Sequence, residues 1–316
     1  MALNPADPYD GSWKLGLDGF LPQFMQLLFP DSHAEVDWSR SYQPLNSELQ
    51  AILPAEEAAS PRRADALYKV WRREGGERWL ILHFEVQTQK DAGLARRMFV
   101  YAYRCFEKYG VETFGYAILG DRDPLFRPAP YVWKLGRARM AYEFEVAKLT
   151  EHSIGELEAS DNPAALLVLA HRFTAATRNE QARRRRFKLH LTRLLFRKGY
   201  GVESSRELFK VIDWMMRLVP EQAIIFNREV AALRKDPSMS EYVLSIDPVF
   251  TRLHHEKGQR EGIVEGQRRL LRAQLVRRFG ELPAWANERL AAAGQAAIER
   301  WSLQLLDAAR LEDALA

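Results

Sequence analysis

The stretch Trp79–Gln87, WLILHFEVQ, constrains this chain more than any other. Leu80, Leu82, Phe84 and Val86 fall on one side, and Ile81, His83, Glu85 and Gln87 on the other. A period of two belongs to a strand, not to a helix. It sets an acid and an amide two residues apart on one face. Asp65–Trp71 (DALYKVW) precedes it, across a segment with the turn signal Gly75–Gly76. Ala92–Tyr109 then reads as a helix and Thr113–Leu119 (TFGYAIL) as a third strand. Strand, strand, helix, strand is a hairpin followed by a crossover, so the expected class is α/β with a mixed sheet. Tyr131–Leu135 and Met140–Lys148 are expected to complete that sheet. Upstream, Phe20–Phe29 reads as a short helix ended by Pro30, and Ser47–Leu53 as another, with Ser47 as its N-cap.

Three regions follow from the patterning: 1–150 with the strands, a helical stretch 151–255, and 256–316, a polar connector and short helices. In the second, Ala164–Thr177, Gln181–Lys198, Ser204–Val219 and Glu221–Arg234 carry apolar residues at helical spacing. The third opens with Gly258, Gly262 and Gly266 among Gln, Arg and Glu, which reads as a connector. Its helices are a candidate homo-oligomer contact. One cysteine, Cys105, excludes an intramolecular disulfide framework and a cysteine-based zinc site, and suits a reducing cytoplasm. No signal peptide is expected, and no apolar run approaches the ~20 residues that span a bilayer. The net charge of +4 mildly favours a polyanionic partner. No Walker A loop, dinucleotide-binding glycine fingerprint or nucleophile elbow is present.

The residues that carry chemistry are Glu48, Asp65, Glu85 and Gln87. Asp65 opens the first strand of the hairpin, so it can sit beside Glu85, where directly opposed side chains are ~5 Å apart. Two carboxylates that close repel unless a cation lies between them. Hard oxygen ligands suit Mg2+, which takes one or two protein carboxylates and keeps several waters. Gln87 would orient one of those waters, and Glu48 would reach the metal through another. On the following helix Arg97, Tyr101, Arg104 and Lys108 are spaced four, three and four apart and share a face. A phosphodiester substrate would use such guanidinium groups. The plainer alternatives are the solvent face of a half-buried sheet for Glu85 and Gln87, and a solvated helix face for the stripe. Similarly, Arg183–Arg186 reads either as a phosphate contact or as part of an Arg-rich helix packing through Phe187, Leu191, Leu194 and Leu195. His83 shares the face of Glu85, where it either approaches the metal or packs as a structural histidine.

Three segments carry a family resemblance: Arg63–Asp65 opening a strand, Leu82–Gln87 in the next, and Arg97–Arg104 on the helix after it. With them, 1–150 resembles the PD-(D/E)XK nuclease superfamily, and within it the bacterial recombination-promoting nuclease and putative transposase group. Asn46–Gln50 matches the family's early helical glutamate. The segment 270–315 resembles a small helical domain of unknown function often appended to these proteins. The resemblance implies a restriction-endonuclease-like mixed central sheet flanked by helices, a mostly helical C-terminal half, and magnesium-dependent hydrolysis of DNA. It makes Asp65 and Glu85 the metal ligands, Glu48 an auxiliary acid, and Arg97, Tyr101 and Arg104 substrate contacts. Gln87 stands where the superfamily more often has lysine, so a dipole replaces a charge. The rival on the same fold is a catalytically inactive nucleic-acid-binding or protein-interaction module.

Overall fold

The computed structural model describes residues 8–46, 64–74, 78–121, 123, 125–233, 270–293, 295–308 and 310–315. The chain divides into two compact units, Met1–Ser245 and Ile246–Ala316.

The first unit is α/β. Its five-stranded mixed sheet contains β1 (Gln43–Pro44), β2 (Ala64–Trp71), β3 (Trp79–Gln87), β4 (Thr113–Leu119) and β7 (Glu145–Lys148), in that order across the sheet. β1, β2 and β3 run antiparallel; β4 and β7 follow parallel to β3. The crossover from β3 to β4 is helix α3 (Leu94–Tyr109), which ends on Gly110 in a left-handed conformation. Among the described residues, the helices before it are α1 (Pro8–Leu28) and α2 (Pro30–Glu35). After the sheet come α4 (Ile154–Ala159), α5 (Ala164–Ala176), α6 (Gln181–Lys198), α7 (Val202–Met215) and α8 (Pro220–Leu233). α1 lies against α5, α7 and β2, so the helical stretch shares a core with the sheet. Among the described residues no helix is long and apolar enough to cross a membrane.

The central position of β3 decides how the site is built. Leu80–Val86 is buried throughout, on both faces. On the Phe84 side the rings of Phe29, Tyr68 and Tyr116 pack against it. On the other side α3 closes over Ile81 and His83 with Tyr101 and Cys105. A solvent-facing side for Glu85 is therefore wrong: alternation shows that the two faces differ, not what covers them.

Two further expectations need correction. Phe20–Leu28 is the second half of α1, bent at Phe20 two residues before Pro22; Phe29 is the non-helical cap of α2, which Pro30 opens rather than simply ending a helix. Proline lacks only an N–H that the first turn leaves unpaired anyway. Nor do Tyr131–Leu135 and Met140–Lys148 both join the sheet. β5 (Tyr131–Leu135) pairs with β6 (Ala138–Tyr142) as a separate two-stranded ribbon, and only β7 enters the sheet. The ribbon turns at Gly136, whose φ of +58° favours glycine. The chain leaves strand conformation at Glu143 and Phe144, which separates β6 from β7.

In the second unit, residues 270–279 form α9, followed by α10 (Ala284–Ala292), α11 (Gln295–Asp307) and α12 (Leu311–Ala314). Leu271, Leu275, Leu290, Ile298, Trp301 and Leu305 form its core. The Gly258–Gly266 connector lies outside the described residues.

Candidate functional site

The antiparallel register of β2 and β3 sets Asp65 directly opposite Glu85. The face of β3 that carries Glu85 is the one covered by α3.

Glu85 is fully buried, and its carboxylate is gripped from the helix. Arg97 donates from Nη2 to Oε2 at 2.6 Å and from Nε to Oε1 at 3.3 Å. Gln87, one pleat further along β3, donates from Nε2 to Oε2 at 2.9 Å. Arg97 is itself 5% exposed and spends Nη1 on Asp91, at 2.5 Å. Burial alone would lower the basicity of this guanidinium, but the two carboxylates raise it above the ordinary arginine value. Glu85, Arg97, Asp91 and Gln87 thus form one network, with Asp65 in register beside it.

His83 lies two residues before Glu85 on the same face. It is fully buried, its ring 4.5 Å from that of Tyr101, and neither ring nitrogen has a hydrogen-bond partner among the described residues. Burial, and then the nearby charge of Arg97, push its pKa down to about 3, so the ring is neutral.

The stripe Arg97–Tyr101–Arg104–Lys108 does not face solvent as one surface. Arg97 points to Glu85, and Tyr101, 1% exposed, sits in the apolar cluster with Leu67, Ile81 and Cys105. Arg104 is half-buried and Lys108 exposed. Tyr101 therefore sits in the core rather than on a surface that a polymer reaches. Burial pushes the Cys105 thiol up to about 11. Glu48 lies outside the described residues, but Asn46 just before it is anchored: its Oδ1 accepts from Leu67 N at 3.0 Å and its Nδ2 donates to Asp18 at 2.9 Å.

Several charged groups escaped the sequence reading. A cleft of about 300 Å³ opens beyond the C-terminal ends of β3 and β4, lined by Lys90, Asp121, Asp123, His171 and Arg178 among others. Ligands in open α/β sheets bind at such strand ends. Lys90 pairs with Asp123. Beneath it Lys148, fully buried, donates to both oxygens of Asp121 at 3.0 Å. Asp91 and Asp121 each stand a few residues past the end of a strand, the one positional signal that could have drawn attention to them. Three basic residues of α6 make internal contacts. Arg184 donates to the carbonyls of Thr174 and Thr177 at the end of α5, Arg185 to Gln222 and Glu229, and buried Lys188 to Asp213 at 2.5 Å.

Family models, curated proteins and solved structures give no match to this chain.

Proposed function

We propose that this chain is a magnesium-dependent DNA endonuclease on a restriction-endonuclease-like core, with Asp65 and Glu85 as metal ligands. The observation that carries the reading is the pairing of Asp65 with Glu85 across the β2–β3 ladder, with Gln87 tied to the same carboxylate. The donor chemistry fits: two carboxylates are hard oxygen ligands of the kind Mg2+ takes. A carboxylate offers about four lone-pair sites, so Glu85 can serve Arg97 and a cation together. Bound there, magnesium would polarise a phosphoryl oxygen and acidify a water.

The protein's own groups have narrower tasks. Arg97 fixes the Glu85 carboxylate in one orientation and, with Asp91, holds the N-terminal part of α3 against β3. The Gln87 amide donates to Glu85 and offers its carbonyl oxygen to a water. Glu48, in the segment entered from Asn46, is the auxiliary acid. Arg104, half-buried on α3, is the remaining candidate for a phosphate contact.

The experiment is plasmid nicking at fixed salt, with magnesium and with a chelator. Wild type is compared with Asp65→Ala and Glu85→Ala, each verified as folded. Magnesium-dependent nicking lost in both variants supports the reading. Equal nicking by all three sinks it. One observation favours a second reading, the catalytically inactive module: Arg97 already hydrogen-bonds both oxygens of Glu85. That reading requires DNA binding that needs no magnesium and is unchanged by Asp65→Ala.

A further inference from the structure

The β5–β6 ribbon stands outside the sheet, and its two faces are chemically opposed. Register partners in the ribbon share a face. One face carries Tyr131 with Tyr142 and Trp133 with Met140; the other carries Val132 with Ala141 and Lys134 with Arg139. The aromatic face rests on α3: Phe99 lies 5.3 Å from the Tyr131 ring, 5.2 Å from Trp133 and 6.2 Å from Tyr142. The other face is turned away. Lys134 and Arg139 are exposed, and Arg137 is exposed at the turn.

Among the described residues nothing answers the charges of this face. From Tyr131 to Tyr142 there are three cations and no acid. None of the three makes an ion pair or hydrogen bond with the described residues. Lys134 and Arg139 lie directly opposite each other, and like charges so placed destabilise a ladder. Leu135, beside the turn, is 86% exposed, so an apolar tip projects where none of the described residues covers it.

We propose that the ribbon docks double-stranded DNA, its Lys134–Arg139 face and Arg137 against the phosphates and its tip in the major groove. Charge complementarity selects a polyanion, and the B-form major groove admits a two-stranded β-ribbon. The narrow major groove of an RNA duplex does not. Anchorage through Phe99 places the ribbon on the same helix that holds Glu85 through Arg97, so a docked duplex has a fixed relation to the candidate site. The inference rests on the nucleic-acid part of the proposed function and not on the chemistry of Asp65 and Glu85.

The test is fluorescence anisotropy of a labelled duplex with the full chain in chelator, where hydrolysis plays no part. The ribbon variant is Lys134→Ala/Arg137→Ala/Arg139→Ala. An equal-charge control is Arg186→Ala/Arg193→Ala/Arg197→Ala on the exposed side of α6. Three lost phosphate contacts flatten the slope of log K against log salt by about 2.7 and weaken binding at least roughly tenfold at 0.1 M salt. The expected result is that loss in the ribbon variant and a much smaller one in the control. Equal losses in both variants, no loss in the ribbon variant, or tighter binding of single strands than of duplex would overturn the proposal. Nicking abolished by Asp65→Ala with duplex binding intact supports it, separating docking from chemistry.

Discussion

At the scale of single residues, this protein buries ionisable groups that it must hold in one protonation state. His83 and His171 are both neutral when folded. Burial takes them down to about 3 and about 4, with Arg97 assisting at His83 and the Gly120 carbonyl partly opposing at His171. An unfolded histidine protonates near 6.5. Below that pH the unfolded chain binds protons that the folded chain refuses, so stability is lost as pH falls from about 6.5 towards 4. Each histidine contributes a slope of about 1.4 kcal/mol per pH unit in that window. Urea midpoints measured between pH 7.5 and 4.5 should show it. The two differ in what they hold. His171 Nδ1 accepts from Trp13 Nε1 at 3.1 Å and binds α5 to α1, whereas neither His83 nitrogen has a partner among the described residues. His83→Leu should therefore be at least as stable as wild type at pH 7, because it removes an unsatisfied buried polar group. It should also lose one histidine's share of the acid slope; an unchanged slope would show that His83 protonates in the folded chain. Arg97→Ala is the opposite case. It strands the buried Glu85 charge and should cost about 3–5 kcal/mol, read from the same urea curves.

Between elements, close approach and buried pairing fix how helices meet strands. A Cβ at Gly120, just past β4, would overlap the ring of His171 on α5. That ring is held by Trp13 and cannot step aside, so Gly120→Ala should destabilise by about 1–3 kcal/mol in chemical unfolding. Close by, Lys148 at the end of β7 and Asp121 after β4 pair out of solvent. Much of this level was legible in the sequence. Strict alternation gave β3 its observed limits, and the sequence signal at Gly75–Gly76 pointed to an antiparallel neighbour; β2 and β3 pair in that way, with Asp65 and Glu85 in register. Gln181–Lys198 is helical as its spacing indicated. What stayed hidden was partner choice. The sequence pattern marks Tyr131–Leu135 and Met140–Lys148 as strands, but a two-residue link at Gly136 pairs Tyr131–Leu135 with Ala138–Tyr142 before either can reach the sheet. The spacing of Arg97 from Tyr101 likewise put both on one helix face. It did not show that this face would close on β3, making Arg97 the partner of Glu85 and Tyr101 that of His83.

For the molecule as a whole, the division at Ser245–Ile246 separates a well-buried α/β unit from a small helical one. The second unit has the size, about 70–80 residues, at which a single core supplies little margin. Its core is a few leucines around Trp301, 4% exposed and covered by the Arg289 guanidinium at 5.6 Å. Leu270, Val276 and Trp285 remain 60%, 40% and 39% exposed. Association with another copy would stabilise a unit of this size, because binding that favours the folded state adds to its stability. We therefore expect the full chain to be a homo-oligomer through 256–316, with mass falling to the monomer on dilution. Trp301→Ala should remove about 3–5 kcal/mol, more than this core can spare. The unfolding profile should then lose the transition of the second unit while that of Met1–Ser245 stays in place, and light scattering on the eluted protein should report a monomer. A variant that loses the transition yet keeps its oligomeric mass would locate the contact in the first unit, leaving the helical domain without a part in assembly.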